Sequence, residues 1–134
     1  MRHAHWKVAL MQYLADSART PYQPGQHDCA LFSAGAVAAM TGTDFAAEWR
    51  STYTTIEEGL KALQKAGFAD HIAMAAAHFE EVALPFAGPG DLAVIASPLG
   101  DILGVVQGEG VYVLTPARIG LWPLSAAHRA FKVV

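Results

Sequence analysis

The chain has 134 residues, a formal net charge of -3 and one cysteine. A single cysteine excludes an internal disulfide and any zinc site built from several cysteines. The acidic balance, with no basic patch, excludes nucleic acid as the main partner. Hydrophobic residues are 53% of the chain and charged residues only 16%, which predicts one domain over 1–134 with apolar surface left for a partner.

Residues 4–18 place Trp6, Leu10, Tyr13 and Leu14 at helical spacing, with Lys7, Gln12 and Asp16 on the other side. Those polar residues interrupt what would otherwise be a signal core. No stretch reaches the ~20 apolar residues of a membrane span, so a cytoplasmic protein with no membrane span is expected. Residues 19–27 carry two prolines and a glycine, which exclude helix and central strand. Tyr22 and Gln23 are placed to pack over the start of the next element.

Asp28 is a good N-cap, which makes Cys29 the first residue of a helix over 29–41 ending at Gly42. Ala30, Leu31, Ala34, Val37, Ala38 and Met40 leave that helix little polar surface, so it is buried on most sides. Gly35 and the alanines predict a close approach, expected to be to a sheet. A short helix is expected over 44–50 with Asp44 as cap and Phe45 and Trp49 on one face. Thr55 and Glu58 form a capping box for a helix that presents Ile56, Leu60 and Leu63 and stops at Gly67. An alanine-rich helix follows over 70–78. Its His71 and His78 are seven apart with no further ligand beside them, so no metal site is expected there, and no cofactor for the chain.

The period then changes to that of strands. Strands are expected at 91–96, 102–106, 111–114, 119–122 and 130–133, with Gly108 to Gly110 as a hairpin turn. Short connections suggest an antiparallel meander. Helices first and strands second make an α+β domain, with N-terminal helices packed on a C-terminal antiparallel sheet.

Cys29 has two readings. At a helix start the partial positive charge favours a thiolate, the setting of a nucleophile. A lone cysteine is also a small buried apolar residue. The order of motifs bears on the choice. Gly-x-x-Asp-Cys-Ala runs from Gly25 to Ala30, then comes a helix ending in Thr41-Gly42. Pro-Gly-Asp-Leu follows at Pro89 to Leu92, and Leu-Gly-Val-Val-x-Gly at Leu103 to Gly108. This order resembles the NlpC-type branch of papain-like cysteine peptidases, which cleave bacterial cell-wall peptides. The His-Asp-Cys-Ala wording at His27 to Ala30 and Thr-Gly-x-Asp at Thr41 to Asp44 are closest to a small phage and prophage branch associated with tails. The resemblance implies a papain-like fold and a place at a phage tail tip or in tail assembly. It implies bacterial cytoplasm during assembly and then the virion tail, with a hub or distal-tail protein as partner.

Carried over residue by residue, the family's catalytic histidine falls at Ile102 and its third polar residue near Leu114. No histidine lies between His78 and His128. A cysteine hydrolase needs a base within about 3 Å of sulfur or a preformed thiolate–imidazolium pair. The favoured expectation is therefore a non-catalytic tail protein on a degenerate fold. The alternative is an active cysteine peptidase or amidase on peptidoglycan peptide. There Cys29 is the nucleophile and the base comes from outside the usual strand, His27 or His128 first and His71 or His78 behind them. Asp101 lies beside the lost position, but a carboxylate is a poor base for a thiol of pKa about 8.5.

Overall fold

The computed structural model describes residues 1–98 and 100–134. Four helices, α1 (Trp6–Ala18), α2 (Cys29–Thr41), α3 (Ile56–Lys65) and α4 (His71–His78), precede most of the sheet. The strands are β1 (Glu80–Val82), β2 (Leu92–Ser97), β3 (Gly100–Gln107), β4 (Gly110–Leu114), β5 (Ile119–Pro123) and β6 (Ala127–Lys132). The fold is α+β, with every strand pairing antiparallel. No helix among the described residues is long and apolar enough to cross a membrane.

The local signals act as their chemistry requires. Asp28 Oδ1 accepts the Leu31 amide at 3.0 Å, and Gly42 ends α2 in the left-handed region at φ 81. Thr55 Oγ1 accepts the Glu58 amide at 3.1 Å, and Glu58 reaches back to the Thr54 amide at 3.3 Å. Asp70 caps α4 through the Ala73 amide at 2.8 Å. The expected helix over 44–50 is instead a single 3-10 turn, Ala47–Trp49. There Asp44 spends one oxygen on the Ala46 amide and both on Arg50, fixing a bend that cannot propagate as a helix.

Helix α2 is the centre of the core. Leu31, Phe32, Ala34, Ala36, Val37 and Met40 are essentially inaccessible. Each large side chain among them contributes about 2 kcal/mol by leaving water. One face meets β3, where Ser33 Oγ donates to the Leu103 carbonyl at 3.1 Å. Another meets α1, where the Tyr13 hydroxyl donates to the Phe32 carbonyl at 2.7 Å. The close approach at Gly35 is therefore made by Tyr13 of α1 and not by the sheet: a Cβ there would lie 2.2 Å from the Tyr13 oxygen.

The strand order is β1-β6-β2-β3-β4-β5. Strands β2 to β5 are a meander, as expected, but β6 does not continue it past β5. It returns to pair with β2 and carries the short β1 on its outer edge. Asp91 holds that return in place. Its carboxylate is fully buried and accepts from Arg2 at 2.8 Å, Lys132 at 2.9 Å and the amides of Gly88 at 2.9 Å and Val133 at 3.0 Å. Arg2 also donates to the Val133 and Pro89 carbonyls. One buried acid thus ties both ends of the chain to the entrance of β2. Two cations and two amides make its burial tolerable.

Candidate functional site

The site begins where the sheet splits. Val106 exchanges main-chain bonds with Gly90 and Asp91 ahead of β2, so it faces the β2 side of β3. Antiparallel strands alternate, so Val105, Leu103 and Asp101 face the opposite side, toward β4. Pairing with β4 stops at Val105 opposite Tyr112. The first half of β3 therefore has an open edge. At Leu103 other elements take over that edge. Ser33 donates to its carbonyl, and its amide donates to Nε2 of His71 at 3.2 Å.

A cavity of about 370 Å³ occupies the split. Cys29, Ile102 and Leu114 all line it, and α3 closes one side with Ile56 and Leu60. Most of the lining is apolar, with a few polar groups converging near Cys29: Tyr22, Asp28, Tyr53, His71 and Asp101. Cys29 also packs on the apolar cluster that contains Ile102 and Val113.

Asp28 shapes the loop that presents Cys29. It is 1% exposed and accepts from the Gly25 amide at 3.0 Å, the Leu31 amide at 3.0 Å and the Tyr53 hydroxyl at 2.5 Å. Gly25 has φ 83, and a Cβ on it would fall 1.9 Å from the Tyr53 carbonyl oxygen, so only glycine fits. Tyr22 lies on the same loop and lines the cavity beside Cys29, the packing expected for it.

Electrostatics oppose a thiolate. Burial, followed by the neighbouring Asp28 charge, pushes the Cys29 thiol up to about 11; the amides of Ala30 and Cys29 itself pull the other way without prevailing. Burial, then Cys29 and Asp28, pushes Tyr22 up to about 12. Burial followed by the bond to Asp28 raises Tyr53 as well. Burial lowers His71 although Asp70, Asp28 and Asp101 favour its charged form, so the ring is neutral near pH 7. Its Nε2 lone pair receives the Leu103 amide, which leaves the proton on Nδ1. Among the described residues no hydrogen bond joins the Cys29 sulfur to an imidazole.

The other histidines stand elsewhere. His27 turns away from the cavity to donate to the Ser17 carbonyl at 3.3 Å, against the edge of Phe32. His128 sits outside and donates to Asp101 Oδ1 at 3.2 Å, so it reaches the cavity only through that carboxylate. His78 donates to the Met74 carbonyl within α4 and lies against Phe45. The imidazole that shares the cavity with Cys29 is His71, which the strand pattern ranked behind His27 and His128. The sequence placed it only at the start of α4, just after the Asp70 cap; what it faces is set by tertiary packing. Tyr53 gave no sequence signal, because its role depends on the fold of the loop at Gly25.

A family model described as a domain of unknown function (DUF6950) matches residues 1–133, and the chain belongs to that family. No curated protein matches it.

Proposed function

We propose that this DUF6950 domain is a papain-like, NlpC-type fold without a working dyad, serving at a phage or prophage tail tip or in tail assembly. One observation carries the reading. The nucleophile position and the two positions that correspond to the family's base and third polar residue line the same cavity, yet two of the three are Ile102 and Leu114. Neither side chain accepts a proton or orients an imidazole. The nearby imidazole of His71 does not replace them, because its basic lone pair is committed to the main chain of β3. Folds persist after their chemistry is lost, so Cys29 needs no catalytic role to remain at a packed helix start. The tail setting, and a hub or distal-tail protein as partner, rest on the resemblance at His27 to Ala30 and Thr41 to Asp44.

A second reading keeps an active cysteine peptidase or amidase acting on peptidoglycan peptide. It is favoured by the Cys29 and Ala30 amides directed at the sulfur and by His71 in the same cavity. It requires His71 to release the Leu103 amide before it can take a proton. Iodoacetamide labelling of Cys29 across pH, with Cys29→Ser as blank, decides between them. A single inflection well above pH 8.5 supports the non-catalytic domain. An inflection below pH ~7 with a second one from an imidazole refutes it.

A further inference from the structure

We infer that the cavity beside Cys29 binds an extended segment of a partner protein that sets a lysine or arginine against Asp101 and an adjacent apolar side chain between α3 and β3. This inference rests on the non-catalytic reading and supplies the partner's chemistry.

The first argument is the open edge. Asp101 presents its main-chain amide and carbonyl on the same side as Leu103, where β4 has already left the sheet. At Leu103 those groups are satisfied from within the protein. At Asp101 the hydrogen bond made among the described residues is on the side chain, to His128. A peptide in β conformation satisfies such an edge, which is the general mode of strand addition.

The second argument is the apolar wall. Ile56 is 44% exposed and Leu60 40%, and both border the cavity from α3. Leu63, one turn on, is buried. Isolated exposed apolar residues need no explanation, but two on one face of a helix, at the mouth of an apolar cavity, mark a surface that an apolar side chain covers.

The third argument is charge. Asp28 and Asp101 are the charged groups of the lining, and no lysine or arginine is among them. Asp28 is committed to two amides and the Tyr53 hydroxyl. The Asp101 side chain is 49% exposed and meets exposed His128; Arg129, which is paired with Glu81, lies close enough to interact with it as well. An incoming cation therefore finds Asp101, while a carboxylate-bearing segment finds no lysine or arginine in the lining. In an antiparallel pairing the residue opposite Asp101 projects to the same face, which places the basic side chain against it.

The test is titration of the isotope-labelled full chain, by amide NMR, with a blocked pentapeptide alternating leucine and lysine. The leucine–glutamate counterpart and leucine amide serve as comparison probes. The expected result is saturable shifts at the amides of Asp101, Leu103, Ile56 and Leu60, with the lysine peptide binding at least tenfold tighter than the other two. Asp101→Asn should weaken it about threefold, as a part-exposed charge pair does. Leu60→Ser should weaken it about tenfold. Asp101→Asn is a surface change, and its melting temperature shows whether it remains folded. Equal binding of the lysine and glutamate peptides, shifts that avoid Asp101, leucine amide binding as tightly as the peptide, or no shift up to ~10 mM each overturns the inference. Cleavage of a bound peptide instead refutes the non-catalytic reading and leaves the binding site standing. An inert thiol with no peptide binding does the reverse.

Discussion

Replacing Ile102 with histidine puts an imidazole at the position that the family resemblance assigns to the base. Ile102 is 7% exposed and shares both the cavity and an apolar cluster with Cys29. A charged imidazole about 4 Å from sulfur, at an effective dielectric of ~20, favours the thiolate by about 4 kcal/mol. That corresponds to about three pKa units, so a thiol that stands at about 11 falls to ~8 while the imidazole is charged. At pH 7.5 an imidazole of ordinary pKa about 6.5 is charged only about a tenth of the time, so the thiolate fraction rises from ~0.03% to ~3%. The less basic thiolate is intrinsically about twentyfold slower, which leaves a net acceleration of ~5-fold toward iodoacetamide. The assay is intact-mass alkylation of Ile102→His from pH 5.5 to 10, beside Ile102→Gln, which introduces polarity without a charge. Polarity at this buried site costs about 1–3 kcal/mol, and a thermal melt shows that both variants are folded. If folded Ile102→His tracks Ile102→Gln at every pH, Ile102 does not face the sulfur, and the register that aligns β3 with the family's histidine strand is wrong.

Asp91→Ala leaves the Arg2 and Lys132 charges and two amides without their acceptor. Breaking a buried pair of this kind costs about 3–5 kcal/mol, seen as a drop of ~10 °C or more in Tm; a drop under ~3 °C would show that the clasp is not structural. Asp28→Ala removes the α2 cap and strands the Gly25 amide and the Tyr53 hydroxyl, with an expected loss of about 3 kcal/mol in urea unfolding. Tyr53→Phe should lose about half of that, and a larger loss than Asp28→Ala would contradict the assigned bond. Burial holds His71 below its unfolded value of about 6.5, so the unfolded chain takes up the proton first as pH falls. Stability from this group is complete above pH ~6.5 and declines below it toward the folded pKa. His71→Gln should flatten that part of the profile, and an unchanged slope would place the titration elsewhere, with His27, also lowered by burial, the next group to test.

Much of this protein follows from short-range chemistry, which is why it is readable without coordinates. The caps at Asp28, Thr55 and Asp70 are decided by a side chain within three residues of the amide that it accepts. The strands β2 to β5 follow from apolar runs bounded by glycine turns, and the packed α2 from its composition. Cys29 at a helix start next to a constrained loop is legible for the same reason. What tertiary structure alone decided depends on segments that meet from far apart in the chain. Strand β6 leaves the meander to pair with β2 because Asp91 collects Arg2 and Lys132, 89 and 41 residues away. The three-residue β1 has no pattern of its own and exists because β6 offers it an edge. Strands β3 and β4 part after Val105, and Ser33 of α2 and His71 of α4 take the Leu103 main chain at that split. That split puts His71 rather than His27 or His128 into the cavity with Cys29 and then occupies its lone pair with the Leu103 amide. Sequence spacing supplied the types of groups present; whether a thiol has a base is a matter of ångströms, and those are set only when distant elements pack.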